Sequence, residues 1–381
     1  MASTDHLPRS ESLSATSRRS FLQAGGLSLA GLTGLGALAA CSSSGSPSGG
    51  SSGGSTPAGQ SGSSGAASFG TVALQLDWIK NIQFSGEYFA ESKGYFTKAG
   101  FKQVQLVAGG AASTSPEAMV ITNKVSIGLT SPITTAAAIA EQGAPLKIIG
   151  TEYQKAPFCI VSVEEKTPIR TLDDLKGKKI GIQTGTNEAI WKGFLKINKI
   201  DPSELTVVPV QYDPTVVTNG TVDGFMAYIT NEPVLLKSEG FTPVALSFAD
   251  NGMELFTDCF IVTQDSIKNN RDMLKALLKA EIQGWTAAIA DPAGSARLAA
   301  NVYGKDQKLQ VREQTQEATI QNGLIATADT KKNGLFTMTD ALVGQTIDSL
   351  GAMGTKVSAS QLVDLSLLTE VYQENPSLIT A

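Results

Sequence analysis

Leu74-Gln-Leu-Asp77-Trp78-Ile-Lys-Asn81-Ile-Gln-Phe84-Ser-Gly-Glu-Tyr88-Phe89-Ala-Glu-Ser-Lys93-Gly-Tyr-Phe-Thr-Lys-Ala-Gly-Phe101 is the stretch from which the fold is read. Val72, Leu74 and Leu76 alternate with Ala73 and Gln75, as a strand requires. Phe84, Tyr88 and Phe89 recur at the spacing of one helix face. Asp77, Trp78 and Asn81 fall between the two elements. A large aromatic and two hydrogen-bonding side chains at the carboxyl end of a strand are where an open α/β sheet places a small ligand.

The same alternation continues outward. Strands are expected at Thr71–Asp77, Lys102–Val107, Val125–Thr130 and Leu146–Gly150, with helices at Gln83–Lys93, Pro116–Asn123 and Ile133–Gln142. Strands alternating with helices imply a mostly parallel sheet. Ser131-Pro132 reads as an N-cap followed by proline at the first helical position. That arrangement leaves backbone N–H groups pointing beyond the strand end, which makes Thr130 and Ser131 candidate ligand contacts; the same residues also serve simply as a cap.

Pro157–Val163 reads as a crossover strand, after which a second unit begins. Its strands are expected at Lys179–Gln183, Thr206–Val210, Thr221–Tyr228 and Thr242–Leu246. Thr184-Gly185-Thr186-Asn187 forms a loop and helix start before a helix Glu188–Asn198, and Asn231-Glu232-Pro233 opens another. Asp258–Thr263 returns in extended form. From Asp265 onward the chain reads mainly as helices, including a long one over Ser266–Ile289, expected to pack on the first unit and complete it. Two α/β lobes joined by two crossover strands make a hinge with a cleft.

The expected organisation is lobe 1 over 69–158 and 259–381, and lobe 2 over 159–258. Before these come a signal segment, 1–40, and a linker, 41–68. Ser17-Arg18-Arg19-Ser20-Phe21-Leu22 precedes the apolar run Ala24–Ala40, which ends at Leu38-Ala39-Ala40-Cys41. The run is shorter than the roughly 20 residues of a spanning helix. It reads as a twin-arginine export signal closed by a lipobox, with Cys41 acylated after cleavage. Ser42–Ser68 holds only small or uncharged residues and reads as a flexible tether. The folded body is therefore expected on the extracytoplasmic face of the cell membrane, anchored through lipid on Cys41, as a monomer.

Composition excludes several functions. Lys plus Arg is 30 and Asp plus Glu is 35, a mild acidity without a basic stripe, so nucleic acid is not an expected partner. The single histidine is His6, inside the signal segment. Without imidazole, Ser-His-Asp and Cys-His catalysis and the usual zinc sites are eliminated. No catalytic residue, metal or cofactor is expected. Apart from Cys41 the cysteines are Cys159 and Cys259, each near the start of a proposed crossover strand. An exported location permits a disulfide between them, and two buried free thiols are the alternative.

Leu76-Asp77-Trp78-Ile79-Lys80-Asn81, Gly86-x-Tyr88-x-Ala90, Lys93-Gly94-Tyr95-Phe96, Asp174–Gly181, Val222-Asp223-Gly224 and Asn231-Glu232-Pro233, in that order, resemble the thiamine-pyrimidine, sulfonate and nitrate family of ABC-transporter substrate-binding proteins. The resemblance covers about Thr71 to Lys237. It implies a two-lobed type II periplasmic-binding-protein fold and delivery of a captured small-molecule solute to an ABC permease with its ATPase, with no chemistry on the ligand. The Asp-Trp-x-x-Asn run is closest to the branch that binds thiamine pyrimidine precursors, although Ile79-Lys80 and Gln83-Phe84 depart from that branch.

By this resemblance Trp78 would stack on a planar ring, Asn81 would bond at a ring edge, and Glu232 would accept from an exocyclic amine. The full candidate ligand-binding set is Asp77, Trp78, Asn81, Tyr88, Thr130, Ser131, Thr184, Asn187, Tyr228, Asn231 and Glu232. A sulfonate, a nitrate-type oxyanion or a flavin is the alternative ligand within the class. The body has only Arg170, Arg271, Arg297 and Arg312, none in a proposed binding loop, which argues against a dedicated anion clamp. A pyrimidine-synthase-like enzyme is the alternative of a different class, and it would need the missing histidine.

Overall fold

The computed structural model describes residues 68–110 and 113–379; the expected export signal, Cys41 and all but the last residue of the expected linker lie outside them. Ten strands form two five-stranded sheets. The first contains β1 (Gly70–Gln75), β2 (Phe101–Val107), β3 (Ile127–Thr130), β4 (Leu146–Tyr153) and β10 (Thr257–Thr263), in the order β2-β1-β3-β10-β4. The second contains β5 (Phe158–Val163), β6 (Lys179–Ile182), β7 (Thr206–Pro209), β8 (Gly224–Tyr228) and β9 (Pro243–Ser247), in the order β7-β6-β8-β5-β9.

Each sheet is mixed rather than mostly parallel. Leu74 of β1 pairs in parallel with Leu106 and Ile127, while β10 runs antiparallel to both neighbours, Phe260 opposing Leu129 and Gly150. The second sheet repeats the arrangement. β6 is parallel to β7 and β8, and β5 is antiparallel to β8 and β9, with Ile160 opposing Met226 and Leu246. The antiparallel member is in each case the strand that has just arrived from the other sheet.

The two arriving strands are interior members of the sheets and not free-standing hinge strands. Every residue of β5 is buried, as is every residue of β10 except its last. Such continuous apolar runs need cover on both faces, which an interior position provides. The chain therefore crosses between the sheets at 154–157 and again at 248–256, where a short 3-10 turn, Ala249–Asn251, interrupts the path. These two lobes with a double crossing are the fold read from the sequence.

Cys159 and Cys259 do not form the expected bridge; both are buried and free. Cys159 pairs with Ala227 and Ser247 in the second sheet, whereas Cys259 pairs with Thr130 and Thr151 in the first. Their placement in the interior of separate sheets, and not side by side at a hinge, explains the difference.

The segment read as one long helix is two, Gln264–Asn269 and Arg271–Ala290, broken where Asn270 leaves helical backbone geometry (φ −124°, ψ 28°). The second of these lies directly on helix Ser85–Ser92. Gly86 and Gly284 allow this approach: a β-carbon on Gly284 would stand 2.2 Å from the Gly86 carbonyl oxygen. The C-terminal helices do not pack on the first lobe alone. Met353, at the end of helix Asp340–Met353, inserts over Gly193 of helix Thr186–Ile197 in the second lobe. One apolar core consequently runs from Ile148 and Ile261 of the first sheet through Phe158 and Ile160 to Trp191, Phe194 and Phe248. Trp191 belongs to this core and is 1% exposed.

Candidate functional site

A narrow cavity of about 30 Å³ lies between the two sheets at the carboxyl ends of their parallel strands. From the first lobe come Asp77 and Trp78, in the loop after β1, with Gln83, and Ser131, which follows β3. From the second lobe come Gln183, Thr186, Asn187 and Ile190 around the start of helix Thr186–Ile197. Met226, Ala227 and Tyr228 at the end of β8 complete that wall with Asn231 and Glu232, while Phe158 opens β5 at the floor. This is the position at which open α/β sheets hold ligands.

Local chemistry fixes these side chains. Ser131 caps its helix, its hydroxyl oxygen accepting from the Ile133 N–H at 3.2 Å, with Pro132 beside it. Asn187 donates to Gln183 Oε1 at 2.8 Å, and Gln183 in turn donates to the Met226 carbonyl at 3.1 Å. The Tyr228 N–H donates to Glu232 Oε2 at 2.8 Å. Burial pushes the Glu232 carboxyl up to about 7, against the opposing pull of hydrogen bonds from the Tyr228 and Glu232 backbones.

The aromatic groups meet at right angles. Trp78 stands edge-on to Tyr212, with ring centroids 5.1 Å apart and planes at 82°. Tyr228 is edge-on to Phe158 at 5.1 Å and to Tyr153 at 6.3 Å. Such edge-to-face contacts hold rings at defined angles and leave faces for a planar guest.

Seven of the eleven expected residues come together here: Asp77, Trp78, Ser131, Asn187, Tyr228, Asn231 and Glu232. Four do not line the cavity. Asn81 points along its own chain, its Oδ1 accepting from the Gln83 N–H at 2.9 Å to cap the turn Ile82–Phe84. Tyr88 is wholly buried, stacked on Tyr303 with centroids 4.2 Å apart. Thr130 is also buried, its hydroxyl donating to Glu117 Oε1 at 2.8 Å. Thr184 is exposed, and Thr186, two residues on, occupies the wall instead.

Besides Gln183, Thr186, Ile190, Met226 and Ala227, the sequence reading left out Gln83 and Phe158, which line the cavity, and Asp258 behind it. Gln83 donates from one amide nitrogen to Asp77 Oδ1 at 3.1 Å and to Asp258 Oδ2 at 2.8 Å. Asp258 is fully buried behind the cavity wall and has a left-handed backbone, φ 54°. Its signal in the sequence was present: a charged residue within the apolar strand Thr257-Asp258-Cys259-Phe260-Ile261-Val262. Burial holds the Asp258 carboxyl up at about 7, although the donors Gln83 and Tyr228 pull it down. Burial, then the neighbouring Asp258, raises Asp77 well above the usual carboxylate range.

No Lys or Arg is among the described residues that line the cavity. Nor, among the described residues, is any group of three or more His, Cys, Asp or Glu placed to hold a metal ion. The arrangement can stack a planar molecule and accept hydrogen bonds from it.

The NMT1/THI5-like family profile matches residues 81–295, more than half of the chain. A curated relative, the riboflavin-binding protein RibY of Chloroflexus aurantiacus, is 26% identical over 232 residues, 58% of this chain and 63% of its own length. The match thus spans less than two thirds of that relative. The periplasmic nitrate-binding protein NrtA of Synechocystis PCC 6803 shares the fold with a TM-score of 0.59 and 12% identity, over 82% of this chain and 91% of its own. The desulfurization enzyme DSZB shares it with a TM-score of 0.53 and 13% identity, over 80% and 99% of the two chains.

Proposed function

This chain belongs to the NMT1/THI5-like family, and on that premise we propose that it is an extracytoplasmic receptor that captures an aromatic heterocycle and hands it to an ABC importer. The observation that carries this reading is the cavity itself. Trp78, Phe158 and Tyr228 offer ring faces and edges, and the polar groups beside them are amides and carboxyls with no Lys or Arg. A planar ring bearing N–H donors satisfies such a lining; a thiamine pyrimidine precursor is of this kind.

A sulfonate or nitrate fits less well, because no Lys or Arg among the described lining residues would pair with its negative charge. A flavin is the second reading, favoured by the similarity to RibY. Catalysis is disfavoured because no histidine lies outside the first six residues, although DSZB shows that the fold hosts an enzyme. The proposed anchor is lipid on Cys41 after removal of residues 1–40, which the mass of the mature N-terminus would test.

The reading is tested by calorimetry with four probes: an aminopyrimidine, riboflavin, an alkanesulfonate and nitrate. A receptor binds one class and gains stability with the logarithm of one plus ligand concentration over Kd. Binding of the sulfonate or nitrate in preference to both rings would overturn the heterocycle reading, and indifference to all four would count against a receptor of this class.

A further inference from the structure

The cavity's most unusual feature is a pair of carboxyls without a cation. Asp77 faces the cavity, Asp258 lies behind it, and one amide nitrogen, that of Gln83, donates to both. Tyr228, from the opposite lobe, donates to the other oxygen of Asp258 at 3.2 Å. Asp258 is therefore tied to both walls of the site. Its left-handed backbone, which aspartate tolerates better than most residues, turns its carboxyl toward these partners and away from its own strand.

We infer that Asp77 and Asp258 act as one unit that selects a ligand carrying a positively charged nitrogen, and that the unit releases a proton when that nitrogen binds. The inference rests on the heterocycle reading above and goes further by naming the group on the ring. Asp77 would meet the ligand, and Asp258 is a positioning residue acting through Gln83 and Tyr228.

The electrostatics agree. The groups facing the pair are Glu87 on helix Ser85–Ser92, Glu117 on helix Pro116–Ile121, Glu152 and Tyr153 on β4, Cys259 on β10 and Tyr228 on β8. All are acids or neutral groups. Half-buried Asp77 and fully buried Asp258, in such company, do not readily ionise together without a counter-charge, so the unliganded site holds a proton on one of them below neutral pH. An ammonium group replaces that proton. The carboxyl O–H bond breaks, the proton leaves to solvent, and the carboxylate left behind pairs with the ligand's nitrogen. A neutral ligand has no such exchange to offer.

The test uses the full chain and two probes: an aminopyrimidine with an aminomethyl arm, which is cationic, and the same ring with a hydroxymethyl arm, which is neutral. Binding is measured by calorimetry in phosphate and in Tris, whose different ionisation heats report protons released. The expected result is proton release with the aminomethyl probe only, and an affinity for it that climbs by up to about tenfold for each pH unit of increase toward neutral. Asp258→Asn should abolish both the proton release and the preference between arms. Equal binding of both probes, with no buffer or pH dependence, would overturn the inference and leave the heterocycle reading standing. Binding of neither, with riboflavin bound, would overturn the inference alone; binding of none of the three would overturn both. Wild-type proton release in Asp258→Asn would remove Asp258 from the unit. If that variant gives no cooperative melt, Asp77→Asn tests the same exchange by the same measurements.

Discussion

Tyr228 and Asp258 join the two lobes through one hydrogen bond, the tyrosine hydroxyl at the end of β8 donating to Asp258 Oδ1 at 3.2 Å. Tyr228→Phe removes that donor and leaves the ring contacts with Phe158 and Tyr153 in place. The expected loss of stability is about 1 kcal/mol, the net worth of one intramolecular hydrogen bond. Chemical denaturation measures it, and an unchanged midpoint would show that the contact contributes nothing.

Trp78 lines the cavity, half-buried, with its ring edge-on to Tyr212. Trp78→Ala is expected to cost roughly 1 to 3 kcal/mol of ligand binding with little change in melting temperature. Titration calorimetry decides it; undiminished affinity would remove Trp78 from the binding site.

Gly284 lies where helix Arg271–Ala290 meets helix Ser85–Ser92, with room for no β-carbon. Gly284→Ala must push the helices apart and is expected to destabilise by about 1 to 3 kcal/mol, as overpacked cores do. Denaturation of equal midpoint to wild type would contradict the packing.

Beneath that contact lies a group of buried acids. Burial raises Glu87 to about 6, and raises Glu152 and Glu281 well above the usual carboxylate range. Trp285 donates its indole N–H to Glu152 at 3.0 Å, and a proton between Glu87 and Glu152 supplies the hydrogen bond that two ionised carboxylates would lack. Because the folded state holds these protons more tightly than the unfolded chain, their stabilising contribution is complete below about 4.3, the ordinary glutamate value, and is lost as pH rises through the folded values. Melting temperature is expected to fall as pH rises from about 4.3 through about 6 and beyond. Glu281→Gln should flatten that slope; a slope of opposite sign would refute the assignment.

The two free thiols give a direct chemical check. Alkylation of denatured, unreduced protein should label both Cys159 and Cys259, while the folded protein should resist, since both side chains are fully buried. Mass spectrometry reads the result, and an unlabelled pair would restore the bridge.

Much of the fold was legible in the sequence, since strand and helix periodicities are local and survive without knowledge of neighbours. The β1 loop, the Ser131-Pro132 cap and the Asn231-Glu232-Pro233 turn announced their places at strand ends, and all three reach the cavity. Strand direction was less legible, because β5 and β10 look the same in sequence whether they bridge the lobes or fill the sheets. Asn81, Tyr88 and Thr130 share the composition of ligand contacts, and only packing assigned them to a cap, a core stack and a bond to Glu117.

By itself the sequence determined two α/β lobes, a lone histidine at position 6, and Asp77 and Trp78 as one wall of a cleft. Tertiary structure alone decided that Asp258, 181 positions from Asp77, shares an amide donor with it, that Met353 crosses to the second lobe, and that the cysteines stay apart. The physical reason is the range of the forces involved. Periodicity and capping act within a few residues, whereas the protonation of a buried carboxyl and the fit of a side chain over a glycine depend on whichever distant groups the fold brings beside them.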